Sequence, residues 1–311
     1  MAIIDIGVRS PYFVTHEVAT AAYGLLDLTI DGTLRYSITK DVIPGTTRVT
    51  IDISQLVRDY INPLYADPGG FNDSGEVSYS YVLTLYDATD VSLTPTKSDS
   101  GTATDGYQFY YNGNNYALFN SAELVTGQRL YYAANESGFF YENVSNTLTK
   151  RTFSSSATSF GTVTIVRLPC TRYTGYPVTF LNRFGVLQQM WFTAKTVESQ
   201  SVTGSQYKSK YNTDTGAIFG GKHQYQVYNK NARRRYTLNS DYITNNPDTF
   251  NDQIQELLLS EYLWIGDYDL NTSVPVNLVT SDVTYKTGLN DRLINYQLVF
   301  EQAFDLISTG R

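Results

Sequence analysis

Cysteine is almost missing from this chain. Cys170 is the only one in 311 residues, so no intrachain disulfide can form and a small secreted domain stapled by disulfides is excluded. Histidine is nearly as scarce. His16 and His223 lie far apart, and two histidines with one cysteine cannot build a zinc site of the usual spacing. Nor does their spacing place a base beside a nucleophile and an orienting acid. Charged residues make up 17% of the chain, against about 25% in an ordinary soluble domain. No stretch reaches 18 consecutive apolar residues, so no transmembrane helix and no membrane insertion are expected. The opening MAIIDIGVRSPYFV has no apolar core of the secretory kind, and synthesis in a cytoplasm is expected. The net charge of −7 disfavours direct binding to a nucleic-acid backbone, which needs clustered positive charge.

What the chain does have is tyrosine: 27 Tyr and 15 Phe against 2 Met. Aromatic residues favour strands and half-buried surfaces, and they are enriched where proteins meet proteins. Hydrophobic residues are 41% of the total, enough for real cores. The composition suits a β-rich extracellular or virion protein.

The organising stretch is Tyr176 to Ala194, YPVTFLNRFGVLQQMWFTA. Two apolar runs flank a short turn in which Gly185 can take φ > 0. That pattern reads as a β-hairpin buried inside a sandwich. Around it the chain divides into three. Residues 1–86 read as an N-terminal β-sandwich. Leu25 to Ile30 leads into the Asp31-Gly32 turn and then into Leu34, Tyr36 and Ile38 in alternation. Ser54 to Ile61 offers one or two helical turns. Residues 87–160 form a Tyr/Ser/Gly-rich β insertion, whose aromatic residues are expected to pack on a neighbour or present a contact surface. Residues 161–311 form a second sandwich with one flanking helix over 247–260. There Pro247 suits the first helical position, and Phe250, Ile254, Leu257 and Leu258 fall on one stripe. Short strands are also expected at Tyr262 to Ile265, Pro275 to Val279, Val283 to Tyr285 and Leu293 to Ala303. Lys195 to Thr215 is polar and reads as a long loop or arm, of a length that usually has a function.

Few constellations carry chemistry. Gly216 to Lys222 has phosphate-loop spacing, but His223 stands where Ser or Thr is needed, and a strand pattern follows where a helix should open. The carboxylate pairs Asp267 with Asp269 and Glu256 with Glu261 are the kind that 30 acidic residues produce by accident. Asp73 to Glu76 lacks the ligand order of a calcium loop. No catalytic group, metal or cofactor is expected. Candidate subunit contacts are Tyr207 and Tyr211 on the arm and the basic cluster Arg233, Arg234 and Arg235, read as a turn between a strand and the helix that is either solvated or set to meet an acidic patch on another subunit. Candidate surface contacts are Tyr107, Tyr110 and Tyr111, whose rings suit the apolar face of a host-surface glycan.

Three segments resemble structural proteins of tailed bacteriophages: YPVTFLNRFGVLQQMWF, IQELLLSEYLWI and PVNLVTSDVTYKTGLNDRLINYQLVFEQAF. RSPYFV and VTIDISQLVRDYI resemble the first domain of tail-tip proteins of that group. The likeness covers both ends and leaves the Tyr/Ser-rich middle outside. It implies a distal-tail-like or tail-tube-like plan: a β-sandwich flanked by one helix, a homo-hexameric ring, other tail proteins as partners, a place in the virion tail, and an arm at 195–215 laid on a neighbour. Two further classes stay open, a receptor- or carbohydrate-binding module and a cell-wall-degrading enzyme.

Overall fold

Alternation in the sequence becomes faces of sheets. The computed structural model describes residues 6–61, 65–66, 70–71, 76–108, 117–118, 123–144, 147–169, 173–209, 223–240, 247–266, 273–284 and 295–307. Within them the fold is mainly β, with two α-helices. In Tyr23–Ile30 every second residue is buried: Gly24, Leu26, Leu28 and Ile30 point inward. Asp31 and Gly32, both at positive φ, turn the chain into Thr33–Asp41. These strands join Glu76–Tyr86 and Ser92–Thr104 in a six-stranded sheet. A two-stranded ribbon, Phe13–Glu17 with Arg48–Asp52, and the short helix Ser54–Arg58 contribute Val14, Val49, Ile51 and Val57 to the same core.

The first sheet therefore runs past residue 86. Ser92–Thr104 pairs along Glu76–Tyr86, which corrects the placing of residues 92–104 in the insertion. The strand is polar over most of its length because most of it is exposed, with burial confined to its last residues. No alternation marks it.

The second core forms around the central hairpin. Tyr176–Leu181 and Leu187–Phe192 pair in register, Val178 opposite Met190. They sit in a seven-stranded antiparallel sheet with Leu263–Ile265, Val274–Leu278, Gln297–Gln302, Tyr225–Asn239 and Val197–Lys208. The expected strand at Val283 is not one: Val283 and Thr284 are irregular, and Tyr285 lies outside the described residues. Helix Pro247–Leu259 lays Phe250, Ile254 and Leu257, all fully buried, against Phe180, Leu238 and Phe300. Full burial of one such side chain stabilises by about 1.5–3 kcal/mol, whereas an exposed ion pair gives roughly 0–1 kcal/mol. Apolar packing, not surface charge, holds this unit.

The buried aromatic residues described in the middle segment pack partly on one another and partly on the second core. Tyr131 packs edge-on to Phe250 at 5.0 Å, Tyr132 edge-on to Phe153 at 4.9 Å, and Phe139, Phe140 and Tyr141 are buried. Of the two roles expected, packing on a neighbour or presenting a contact surface, these residues pack inward, on one another and on the adjoining second core. Arg129–Ala133 runs parallel to Val163–Leu168, so Tyr131 faces the helix core while Tyr132 faces a second small cluster with Ile165.

Candidate functional site

Two features stand out: a charged joint between the two sheets, and a protruding ribbon. The joint starts at the tip of the central hairpin. Gly185 has φ +74°, and a Cβ there would lie 2.5 Å from the Gly106 nitrogen, so only glycine lets the turn close on the chain leaving the first sheet. That contact is fastened by Tyr107 N–H donating to the Arg183 carbonyl at 2.7 Å and by the Thr104 hydroxyl donating to the Phe184 carbonyl at 2.6 Å. Beside it Arg58 bonds Asp105 at 2.9 Å and Glu261 at 2.8 Å. Arg9 donates twice to the carbonyl of Leu259, the last residue of the long helix, where a cation meets the negative end of the dipole. Burial raises the Asp105 carboxyl, opposed by Arg58.

Glu256 is the buried centre of the joint. It is fully enclosed and accepts a hydrogen bond from the Thr126 hydroxyl at 2.6 Å and a longer one from the Arg183 amide at 3.3 Å. The Arg183 Nε stands 3.8 Å away. Burial pushes the Glu256 carboxyl up to about 7, against the pull of Thr126 and Arg183. Glu261 is exposed and spent on Arg58 and Arg9. The two carboxylates therefore hold the joint and do not face each other across a cleft as an acid/base pair requires.

The ribbon corrects the loop reading of the loop or arm expected at 195–215, as far as residue 209; residues 210–215 lie outside the described residues. Val197–Lys208 is a strand, paired along Tyr225–Asn239 and exposed almost throughout. Both its faces meet water, so polar residues fill both and the alternation that marks a half-buried strand is absent. Gly204 and Asn229, the latter at φ +50°, sit where the register shifts by a bulge. The strand ends the seven-stranded sheet, and no strand lies beside its outer edge among the described residues. It holds no proline, and Ser199 to Tyr207 carries no charge. Val202 is 62% exposed, and Tyr207, Tyr225, Val227 and Tyr228 are about half exposed. Tyr207 and Tyr228 meet edge-on at 5.7 Å.

The basic cluster lies inside Tyr225–Asn239, not in a turn. Its residues extend a strand whose inward positions are Ala232, Tyr236 and Leu238. Arg233 and Arg235 share one face and bind the chain's own closing segment, Arg233 to Asp305 at 2.7 Å and Arg235 to Glu301 at 2.5 Å. Arg234 projects from the other face with no ion pair among the described residues. Tyr107 is half-buried at the joint under Arg9, 5.1 Å from its ring centre, and so is not an outward sugar platform. Tyr110, Tyr111, Tyr211, the 216–222 loop, Asp267 and Asp269 lie outside the described residues. His16 bonds the Pro95 carbonyl at 2.7 Å.

No protein-family model matches the chain, and no curated protein matches it.

Charge along the chain is segregated. Residues 197–239 hold 7 of the 23 Lys and Arg but 2 of the 30 Asp and Glu, a local charge of +5 that leaves −12 on the remainder. The hairpin is a basic arm on an acidic body.

Proposed function

We propose that the protein is a structural subunit of a bacteriophage tail, at the level of the distal-tail or baseplate ring, and that it works by assembly. The observation that carries this reading is the outer edge of Val197–Lys208. A long edge strand whose stretch Ser199–Tyr207 is uncharged, with exposed Val and Tyr on either side of its one bulge, is a template for pairing with another chain, and proteins that stay monomeric blunt such edges with charge, proline, bulges or a cover. Among the described residues no strand covers it, and the arm that carries it has a charge opposite to that of the body. An arm of one sign meeting a body of the other is a head-to-tail contact, and such contacts close into rings when the rotation allows. The joint supports the same reading, since locking the two sheets through Arg58, Arg9 and Glu256 fixes the angle at which the arm leaves the body. The resemblance of the hairpin and closing segments to structural proteins of tailed bacteriophages supports a place in the virion tail.

Light scattering across a concentration series tests this. A closed oligomer of defined mass is expected, either alone or on mixing with other tail proteins. A strict monomer at micromolar concentration under both conditions would remove the reading.

A further inference from the structure

A cleft of about 450 Å³ opens where the middle segment meets the edge of the seven-stranded sheet, within the size range of small-ligand sites. We infer that it binds a neutral saccharide of one or two rings. This goes beyond the assembly reading and does not depend on it.

The walls are aromatic and fixed. Trp191 stands opposite Pro177 across the hairpin and leans on Tyr132 at 6.5 Å. Gly175 lies against the same indole, where a Cβ would come within 3.2 Å of ring carbon Cε3. Tyr176 is anchored by donating its hydroxyl to Glu198 at 2.8 Å. Tyr173 forms the rim and is exposed over about half its surface. Rings held in place present their faces at little entropic cost, and the C–H faces of a sugar ring pack on such surfaces.

The charge of the lining narrows the ligand. Among the described residues Glu136 is its one carboxylate, and no Lys, Arg or His lines the cleft. The nearby Arg167 donates to the carbonyls of Ser154, Ala157 and Glu136, and its positive charge interacts with the Glu136 carboxylate. With no Lys, Arg or His among the described lining residues, the cleft offers phosphates and acidic sugars no cation, and its charged group is the Glu136 carboxylate. That carboxylate accepts from two donors at once, as adjacent sugar hydroxyls provide. A quaternary ammonium would also suit rings and a carboxylate. However, the lining includes Thr174, and a hydroxyl side chain bonds sugar hydroxyls and not methyl groups.

Trp191 and Trp264 are the only tryptophans, so Trp264→Phe leaves one indole, at the cleft. Its emission is titrated with glucose, galactose, N-acetylglucosamine and their β-linked disaccharides, with choline and sialic acid as the cationic and anionic arms. A saturable change with at least one neutral sugar is expected, with Kd of about 0.1–10 mM. Glu136→Gln and Tyr173→Ala, both at exposed positions, are each expected to weaken it about tenfold or more without moving Tm. Saturation-transfer NMR on the unaltered chain repeats the measurement without relying on the Trp264 variant. No saturable neutral sugar in either measurement, a response unchanged by both substitutions, or a preference for choline would overturn the inference. Because the titration reads binding and not mass, its failure leaves the assembly result standing, and the converse holds.

Discussion

Thr126 reaches across from the middle segment to donate a 2.6 Å hydrogen bond to Glu256, a carboxyl on the long helix with no exposed surface. This pair ties the insertion to the second core. Its energetics depend on pH because burial holds the Glu256 carboxyl up at about 7. The unfolded chain titrates it near the ordinary glutamate value of about 4.3. The folded state therefore binds this proton more tightly. The stabilisation is complete below about pH 4.3 and is lost as pH rises through about 7. A shift of this size corresponds to about 3 kcal/mol as an order of magnitude. Glu256→Gln keeps an acceptor for Thr126 and removes the titration. The variant is expected to gain stability over the parent between pH 5 and pH 8. Thermal unfolding at both pH values measures this, and an equal difference at the two would contradict it.

Arg58 joins a carboxylate that is almost fully buried to one that is half exposed. Removing the arginine leaves Asp105 without its cation in a low-dielectric setting, the costly way to break an ion pair. Partial exposure of Arg58 reduces the loss, so Arg58→Ala is expected to cost about 2 kcal/mol. The joint links two separate cores, so urea unfolding should also broaden or split as the sheets part. A variant with an unchanged midpoint and slope would show that Asp105 is held without Arg58.

Two glycines separate strain from collision. Gly45 has φ +79° with nothing near its missing Cβ, whereas Gly185 has φ +74° with the Asp105–Gly106 backbone within 2.7 Å. Gly45→Ala carries only the left-handed backbone penalty, about 1 kcal/mol. Gly185→Ala adds a clash with backbone that cannot rotate away and should cost about 3 kcal/mol or more. Denaturant midpoints of the two variants decide it; similar losses would mean that the hairpin tip yields easily.

The same contrast explains what could be read from the sequence. Leu26, Leu28 and Ile30 and the stripe Phe250, Ile254 and Leu257 were visible because one face is apolar and the other is not, and the turn at Gly185 because it parts two apolar runs buried on both faces. Ser92–Thr104 and Val197–Lys208 escaped notice because water meets most of both faces, and pairing alone makes them strands. Tyr131 and Tyr132 carried a misleading signal, since tyrosine suits a surface and a core equally well. The role of Glu256 depends on Thr126 and Arg183, which lie 130 and 73 residues away. No local pattern announces such a contact. Charge segregation along the arm needed only counting.

The open edge makes the sharpest demand on the assembly proposal. Val202 lies mid-strand and is 62% exposed, so Val202→Lys should leave the stability of a single chain within about 0.5 kcal/mol. A lysine there is the device that blocks strand addition, so the same variant should fail to assemble. Arg234→Glu reverses the one basic residue of the Arg233–Arg235 cluster that no carboxylate holds among the described residues, and it should weaken assembly without touching the Glu301 and Asp305 pairs. Attraction between arm and body is screened by salt, so the parent should dissociate partly between about 50 mM and about 500 mM salt. Sedimentation of parent and variants at both salts reads all three effects. If Val202→Lys assembles as the parent does, the edge is not where copies meet, whatever the mass of the complex.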